Sequence, residues 1–175
     1  MAPRPLLIFQ KISPSVSLRL GVVDLAERYP FPAAVDWARF GAMQREIGAR
    51  LAAELPAAIR TASVGRLVGT AGTAATLAAL DLGLRAYDAR RVQGHRLTRE
   101  AVETLRLRLG ALTVVERAAL PCLEPGRADL ILPGVAIVLA TLDLTGAGAL
   151  VVSDWGLREG ILVSLLPNPA RAGGP

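Results

Sequence analysis

The sequence is short of the residues that most often carry recognisable chemistry. It has one cysteine, Cys122, which excludes an internal disulfide and a cysteine-rich zinc site. It has one histidine, His95, so a metal site would have to be built from carboxylates, and none are spaced for it. Aromatic residues make up only 4% of the chain, which leaves few platforms for stacking nucleic-acid bases. Lysine is nearly absent, since all but one of the 20 basic residues are arginine and the exception is Lys11. A Walker-type phosphate loop, which ends in G-K-[ST], is therefore excluded. Long apolar runs are missing too. The longest, Leu130 to Leu144, is interrupted by Pro133, Gly134 and Asp143 and falls short of the roughly 20 residues of a membrane span. The opening "MAPRPLLIFQKISP" has no extended apolar core followed by a small-residue cleavage site. No membrane association is expected, and a cytoplasmic location is.

What the sequence does have is a hydrophobic fraction of 52% over 175 residues, enough to bury the core of one domain. The net charge of +5 fits an anionic partner. The arginines are scattered, however, and their excess together with abundant alanine reads as a bias of base composition. Nucleic-acid binding is not expected, whereas a small polyanionic substrate is compatible.

Along the chain, "PLLIFQ" and "SVSLRLGVV" read as two strands about a turn at Ser13-Pro14, with Val16, Leu18 and Leu20 alternating. Residues Ala33 to Leu55 carry helical periodicity through Val35, Ala38, Phe40, Ala42, Ile47 and Leu51, and Pro56 closes the segment. "RLVGT" reads as a short buried strand and Thr73 to Leu82 as a helix. Thr98 is placed to cap a helix with Glu100 and Glu103 in its first turns. "TVVERAALP" predicts a further short helix, and Leu130 to Leu144 an apolar core helix. "GALVVSDWGLREGILVSLL" reads as strand, tight turn and helix, with Asp154 as N-cap and a frayed tail beyond. Strands followed by strand–helix alternation predict an α/β domain with a mixed sheet and flanking helices.

The motif that invites a functional reading is "VGTAGTAATLAALDLG". A strand running into G-T-x-G-T and then a helix presents free N–H groups at a helix N-terminus, where an anion is favoured. Gly69, Thr70, Gly72 and Thr73 are the candidates to hold it. The same small residues also suit plain packing of a helix against a sheet, and the pattern alone leaves both readings open. Arg127, in "LEPGRADLILPG", either lies in a ligand cleft and binds phosphate through its planar fork or pairs with a nearby acid. Asp129 is placed to cap the helix after it. His95 reads as a loop or helix-entry residue with a structural hydrogen bond, and Cys122 as a small buried residue. Ser153 and Asp154 stand at a strand end where open α/β sheets bind ligands. Asp154 and Glu159 also serve as caps. "ARRVQGHR" reads as a solvated basic surface. No paired carboxylates at metal-ligand spacing are evident, so no catalytic residue and no metal ligand is assigned.

Taken in order, "SLRLGVVDLAERY", "VGTAGTAATLAALDLGLRAYDARRVQGHRLT", "RADLILPGVAIVL" and "VVSDWGLREGILV" resemble the exopolyphosphatase / guanosine pentaphosphate phosphohydrolase family, from about Leu6 to Leu166. The resemblance implies a ribonuclease-H-like lobe of the actin-like / sugar-kinase / heat-shock ATPase superfamily, here residues 1–166, with 167–175 as the tail. It implies cleavage of terminal phosphoanhydride bonds of polyphosphate or guanosine pentaphosphate, usually with Mg²⁺. The match is to the family's second lobe. The first lobe, with its catalytic glutamate, and the D-x-G-G-G-S loop that opens the second have no counterpart in this sequence. Gly69, Thr70, Gly72 and Thr73 match the family's G-T-x-G-T loop, and Arg127 matches an arginine that faces the anionic ligand. Ala75 stands where the family more often has threonine, and Cys122 where glycine is common. The chain alone is accordingly expected to bind phosphate without hydrolysing it. A homodimer, association with a first-lobe protein, and a non-enzymatic binding module are the alternatives that follow.

Overall fold

In the computed structural model the described residues are 15–165. The chain enters as an irregular segment and forms α1 (Val22–Arg28), α2 (Trp37–Glu54) and the single turn α3 (Ala57–Arg60). Then come β1 (Leu67–Thr70), α4 (Ala71–Asp81), the short α5 (Ala89–Val92) and β2 (Arg96–Thr98). After α6 (Arg99–Gly110), α7 (Val114–Ala118) and a 3₁₀ turn at Pro125–Arg127, the chain finishes with α8 (Ile131–Thr145), β3 (Ala149–Ser153) and α9 (Leu157–Leu165).

The sheet is mixed, as expected. Its order is β1-β3-β2, with β1 parallel and β2 antiparallel to β3. One face is covered by helices: Leu97, Leu150 and Val152 are buried there. On the other face Val68 remains exposed and Val151 is half-buried. This corrects the expectation of a buried strand at "RLVGT": β1 lies at the sheet margin and alternates half-buried with exposed positions.

Helix α8 is the hub. It is apolar nearly all round, with Asp143 its one charged residue, as suits an interior helix, and nine of its residues, including Leu132, Val135 and Leu139, are buried. Helices α2, α6 and α1 pack around it. Phe40, Met43 and Ile47 supply the inward face of α2. That helix begins later than the periodicity predicts because the Asp36 carboxylate accepts the N–H groups of Ala38 and Arg39. Val35 stays outside the helix, its N–H donating to the Gly110 carbonyl. Two expected helix starts are found where the sequence puts them. Thr98 caps α6 by accepting the Ala101 N–H. Thr113 and Glu116 form a reciprocal capping box on α7.

The alternating segment Ser15–Leu20 is not a strand. Among the described residues it has no ladder partner, and Leu18 and Leu20 instead pack partly against the core while the backbone turns into α1. Alternation specifies a strand only where a neighbouring edge pairs with it. "PLLIFQ", the Ser13-Pro14 turn and the 167–175 tail lie outside the described residues.

One polar residue lies deep in this interior. Arg117 of α7 is fully buried, its guanidinium donating to the carbonyls of Phe31 and Thr113. It ties the loop before α2 to α7. Burial pushes its pKa down, and the charge of Asp129 partly offsets that.

Candidate functional site

Parallel β1 and β3 end together, with Thr70 opposite Ser153. Each then runs into a helix, which is where open α/β sheets bind ligands. Thr70 is the N-cap of α4 in extended conformation, and its side chain makes no capping bond. The free N–H groups of the first turn and the positive end of the helix dipole therefore face the cleft. The next residue, Ala71, has φ 72°, a left-handed conformation that costs a non-glycine residue about 1 kcal/mol. The turn from strand to helix thus holds strain at its centre.

Gly72 explains the position of Arg127. A Cβ at Gly72 would lie 1.8 Å from Arg127 Nη1 and 3.1 Å from its Cζ. The guanidinium thus rests directly on the loop backbone, and only glycine leaves it room. Arg127 arrives from the 3₁₀ turn, where its Nε pairs with Glu124 at 2.7 Å. Arg127 thus lines the cleft and also pairs with an acid, and the geometry is compatible with both readings. The pair is loose, since the two side chains are 49% and 71% exposed, and exposed pairs of this kind contribute little. Loop, arginine and the neighbouring Thr76, Leu123 and Ile131 enclose a cleft of about 370 Å³.

The other two loop residues do structural work. A Cβ at Gly69 would lie 2.6 Å from Leu150 Cδ2, so the strand closes tightly on its neighbour there. Thr73 leans on α8: a Cβ at Gly134 would lie 2.5 Å from Thr73 Cγ2 and 3.0 Å from its Oγ1. Contact with the core is thus divided along the motif, and Thr73 also lines the cleft. Gly72 and Thr70 face the cleft, and Gly69 and the methyl of Thr73 seat the loop on the core. Gly134→Ala is expected to cost about 1 kcal/mol net, because overpacking against a stiff β-branched neighbour outweighs the gain in helix propensity. A denaturant melt measures it.

Beyond Arg127 the cleft continues into a second hollow of about 550 Å³, which adds Tyr87, Cys122, Ser153, Asp154 and Arg158. The Tyr87 hydroxyl donates to Asp154 Oδ1. Its own burial first, then the Asp154 bond, pushes its pKa up to about 12, so it keeps its proton at neutral pH and acts as a donor. Asp154 is not the N-cap of α9: it is held by Tyr87, and its N–H donates to Gln93 Oε1 at 2.7 Å. Glu159 does that work, its carboxylate accepting the Gly156 N–H at 2.7 Å. Asp129 likewise makes no capping bond to α8, whose N-cap position is Leu130.

His95 is a loop residue with a structural partner, as the sequence suggests: its Nε2 lies 2.7 Å from Asp81 Oδ2. Cys122 is half-buried rather than buried, its Sγ donating to the Leu84 carbonyl at 3.4 Å. Its φ is 63°, a left-handed conformation that favours glycine. Cys122→Gly is expected to be neutral to stabilising by up to about 1 kcal/mol, since it relieves left-handed strain while losing one weak bond. Thermal unfolding measures the sign. Of the basic segment, Arg90 and Arg91 are exposed and Val92 is buried.

Among the described residues no group of three or more His, Cys, Asp or Glu side chains is placed to hold a metal ion, and no helix is long and apolar enough to cross a membrane. Tyr87 and Arg158, which the sequence did not single out, belong to the cleft, and Gly134 supports it. Arg158 sits beside the flagged Ser153-Asp154 turn. Tyr87 carries no local signal.

The chain is similar to known proteins in sequence and in fold. The Ppx/GppA phosphatase family matches the chain over residues 6–169. Exopolyphosphatase 2 of Mycobacterium tuberculosis is 39% identical over 103 residues, covering 56% of this chain and 32% of that protein. The solved Ppx/GppA family member of Aquifex aeolicus superposes with a TM-score of 0.79 at 32% identity, covering 88% of this chain and 49% of that one. An exopolyphosphatase of Cytophaga hutchinsonii shares the fold, with a TM-score of 0.73 at 24% identity over 85% of this chain and 48% of that one. The chain spans about half the length of these solved relatives and matches about a third of the curated one.

Proposed function

Because the chain belongs to the Ppx/GppA phosphatase family, we propose that it forms the phosphate-holding wall of an exopolyphosphatase-type site, acting on polyphosphate or guanosine pentaphosphate. The observation that carries this reading is the seat of Arg127 on Gly72. It brings a guanidinium fork and the free N–H groups of a helix start to one point, and both are complementary to a terminal phosphate. Gly72 and Thr73 would donate from the backbone, Thr70 from its hydroxyl, and Arg127 bidentately across two phosphate oxygens.

Hydrolysis also needs a base to direct water at phosphorus. The two carboxylates lining the cleft are both engaged, Glu124 by Arg127 and Asp154 by Tyr87. In this reading the base comes from a facing lobe of the actin-like arrangement, whether of the same protein, of a partner or of a second copy. No step is routed through Mg²⁺, since among the described residues no group of three or more His, Cys, Asp or Glu side chains is placed to hold a metal ion. The same absence of a free base favours a second reading, a phosphate-binding module that does not turn over. The single cysteine suits a cytoplasmic setting for either.

The test is phosphate release from polyphosphate by the pure chain in the presence of Mg²⁺. The expected result is release no greater than from a heat-treated control, with polyphosphate still bound. Sustained Mg²⁺-dependent turnover by the chain alone would overturn the division of labour.

A further inference from the structure

We propose that the hollow at the opposite end of the sheet from the cleft is a separate binding site, which takes a small organic dianion across Arg66 and Arg96. The cleft lies where the parallel strands β1 and β3 end. This hollow lies where they begin, between residues 64–67, which lead into β1, and residues 146–149, which turn from α8 into β3. Its volume is about 610 Å³, within the roughly 300–1,000 Å³ of small-molecule sites.

No acidic residue lines the hollow, whereas two arginines do. Arg96 of β2 and Val68 of β1 both stand opposite Val151 of β3, so all three belong to the bare face of the sheet. Arg66 reaches the hollow from just before β1. With β3 between them, the two arginines are about 10–12 Å apart at Cα. Both are exposed, and neither pairs with an acid among the described residues. The acids at this end are engaged elsewhere. Arg99 pairs with Asp143 and Glu103. Glu100 accepts from its own N–H and the Thr98 hydroxyl, which hold its carboxyl below the ordinary range. Between the two guanidiniums lies an apolar floor of Ala149 and the half-buried Val151. Gly65 and Gly148 line it with bare backbone. Neither has a positive φ, and a Cβ at either would meet nothing within 4 Å, so neither backbone conformation nor packing asks for glycine there. A ligand lying against the backbone does. A fork on each side of an apolar floor suits a ligand with an anionic group at each end of an apolar body. Carboxylate and phosphate groups both match that fork.

The experiment is calorimetric titration of the whole chain with terephthalate, hydroquinone bisphosphate and benzoate at fixed ionic strength. Terephthalate is expected to bind saturably, and benzoate, which keeps the ring but only one carboxylate, about tenfold more weakly. Arg66→Gln and Arg96→Gln are each expected to weaken terephthalate about tenfold, the loss of one charge-assisted contact, whereas Arg127→Gln leaves it unchanged. Both arginines are exposed, and an unchanged melting temperature verifies the fold of each variant. Tighter binding of the bisphosphate assigns the site to phosphate groups and tighter binding of terephthalate to carboxylates; either supports the site when both arginines are needed. If Arg127→Gln removes binding while Arg66→Gln and Arg96→Gln do not, the probes sit in the cleft and the second site is wrong. Equal binding of benzoate and terephthalate overturns the two-ended ligand. No binding of either dianion at millimolar concentration overturns the site and leaves the reading of the cleft untouched.

Discussion

Gly72→Ala is expected to weaken pyrophosphate binding by about ten- to a hundredfold while leaving thermal stability nearly unchanged. The added Cβ would lie 1.8 Å from Arg127 Nη1, so the guanidinium must leave the loop. It can do so at little cost, because it is the end of a long side chain that is already 49% exposed. On folding, the substitution even gains up to about 1 kcal/mol of helix propensity in the first turn of α4. On binding, it loses the contacts that Arg127 makes from that seat. Arg127→Gln should match it, and Gly72→Ala with Arg127→Gln should be no worse than either alone, because both remove the same interaction. Unchanged binding by Gly72→Ala would show that the ligand does not need Arg127 on the loop. A large fall in melting temperature would show the contact to be packing.

Arg117→Ala has the largest expected effect on stability, a loss of about 2–4 kcal/mol. The side chain is fully buried and spans from α7 to the Phe31 carbonyl. Its removal leaves that carbonyl without its donor and opens a cavity beside the core. For a chain of this size the melting temperature should fall by about 5–15 °C. Arg117→Met, which refills the volume but not the hydrogen bonds, should fall between wild type and alanine. A loss below about 0.5 kcal/mol for Arg117→Ala would mean that the loop before α2 is held by its apolar contacts alone. Phosphate binding should survive in the folded fraction of both variants, since Arg117 lines neither hollow of the cleft.

These two arginines mark where the sequence speaks and where it is silent. Arg127 was legible because it sits in a turn just before an apolar helix, in a block that also carries the family resemblance. Arg117 was not, because an arginine in the short helix "TVVERAALP" looks like any solvated residue until the Phe31 loop closes over it. The same contrast runs through the fold. Thr98 and Thr113 announce their helices, since a cap is a local device with its acid one turn away. The Val16–Leu20 alternation misled, since a strand is a pairing and its partner is not written in its own residues. The glycine loop was legible as a strand-to-helix turn. Which of its residues packs and which faces the cleft was not, because that depends on Leu150, Gly134 and Arg127, which arrive from three distant segments. Tyr87 and Arg158 join the cleft by the same long-range folding.

The loop itself offers the sharpest test. In an amide-resolved NMR titration of the chain with pyrophosphate, the Ala71, Gly72 and Thr73 N–H signals are expected to shift saturably together with the Arg127 side chain, all of it lost in Arg127→Gln. Saturable binding that leaves those amides unmoved and shifts signals elsewhere would contradict the phosphate-holding role of the loop.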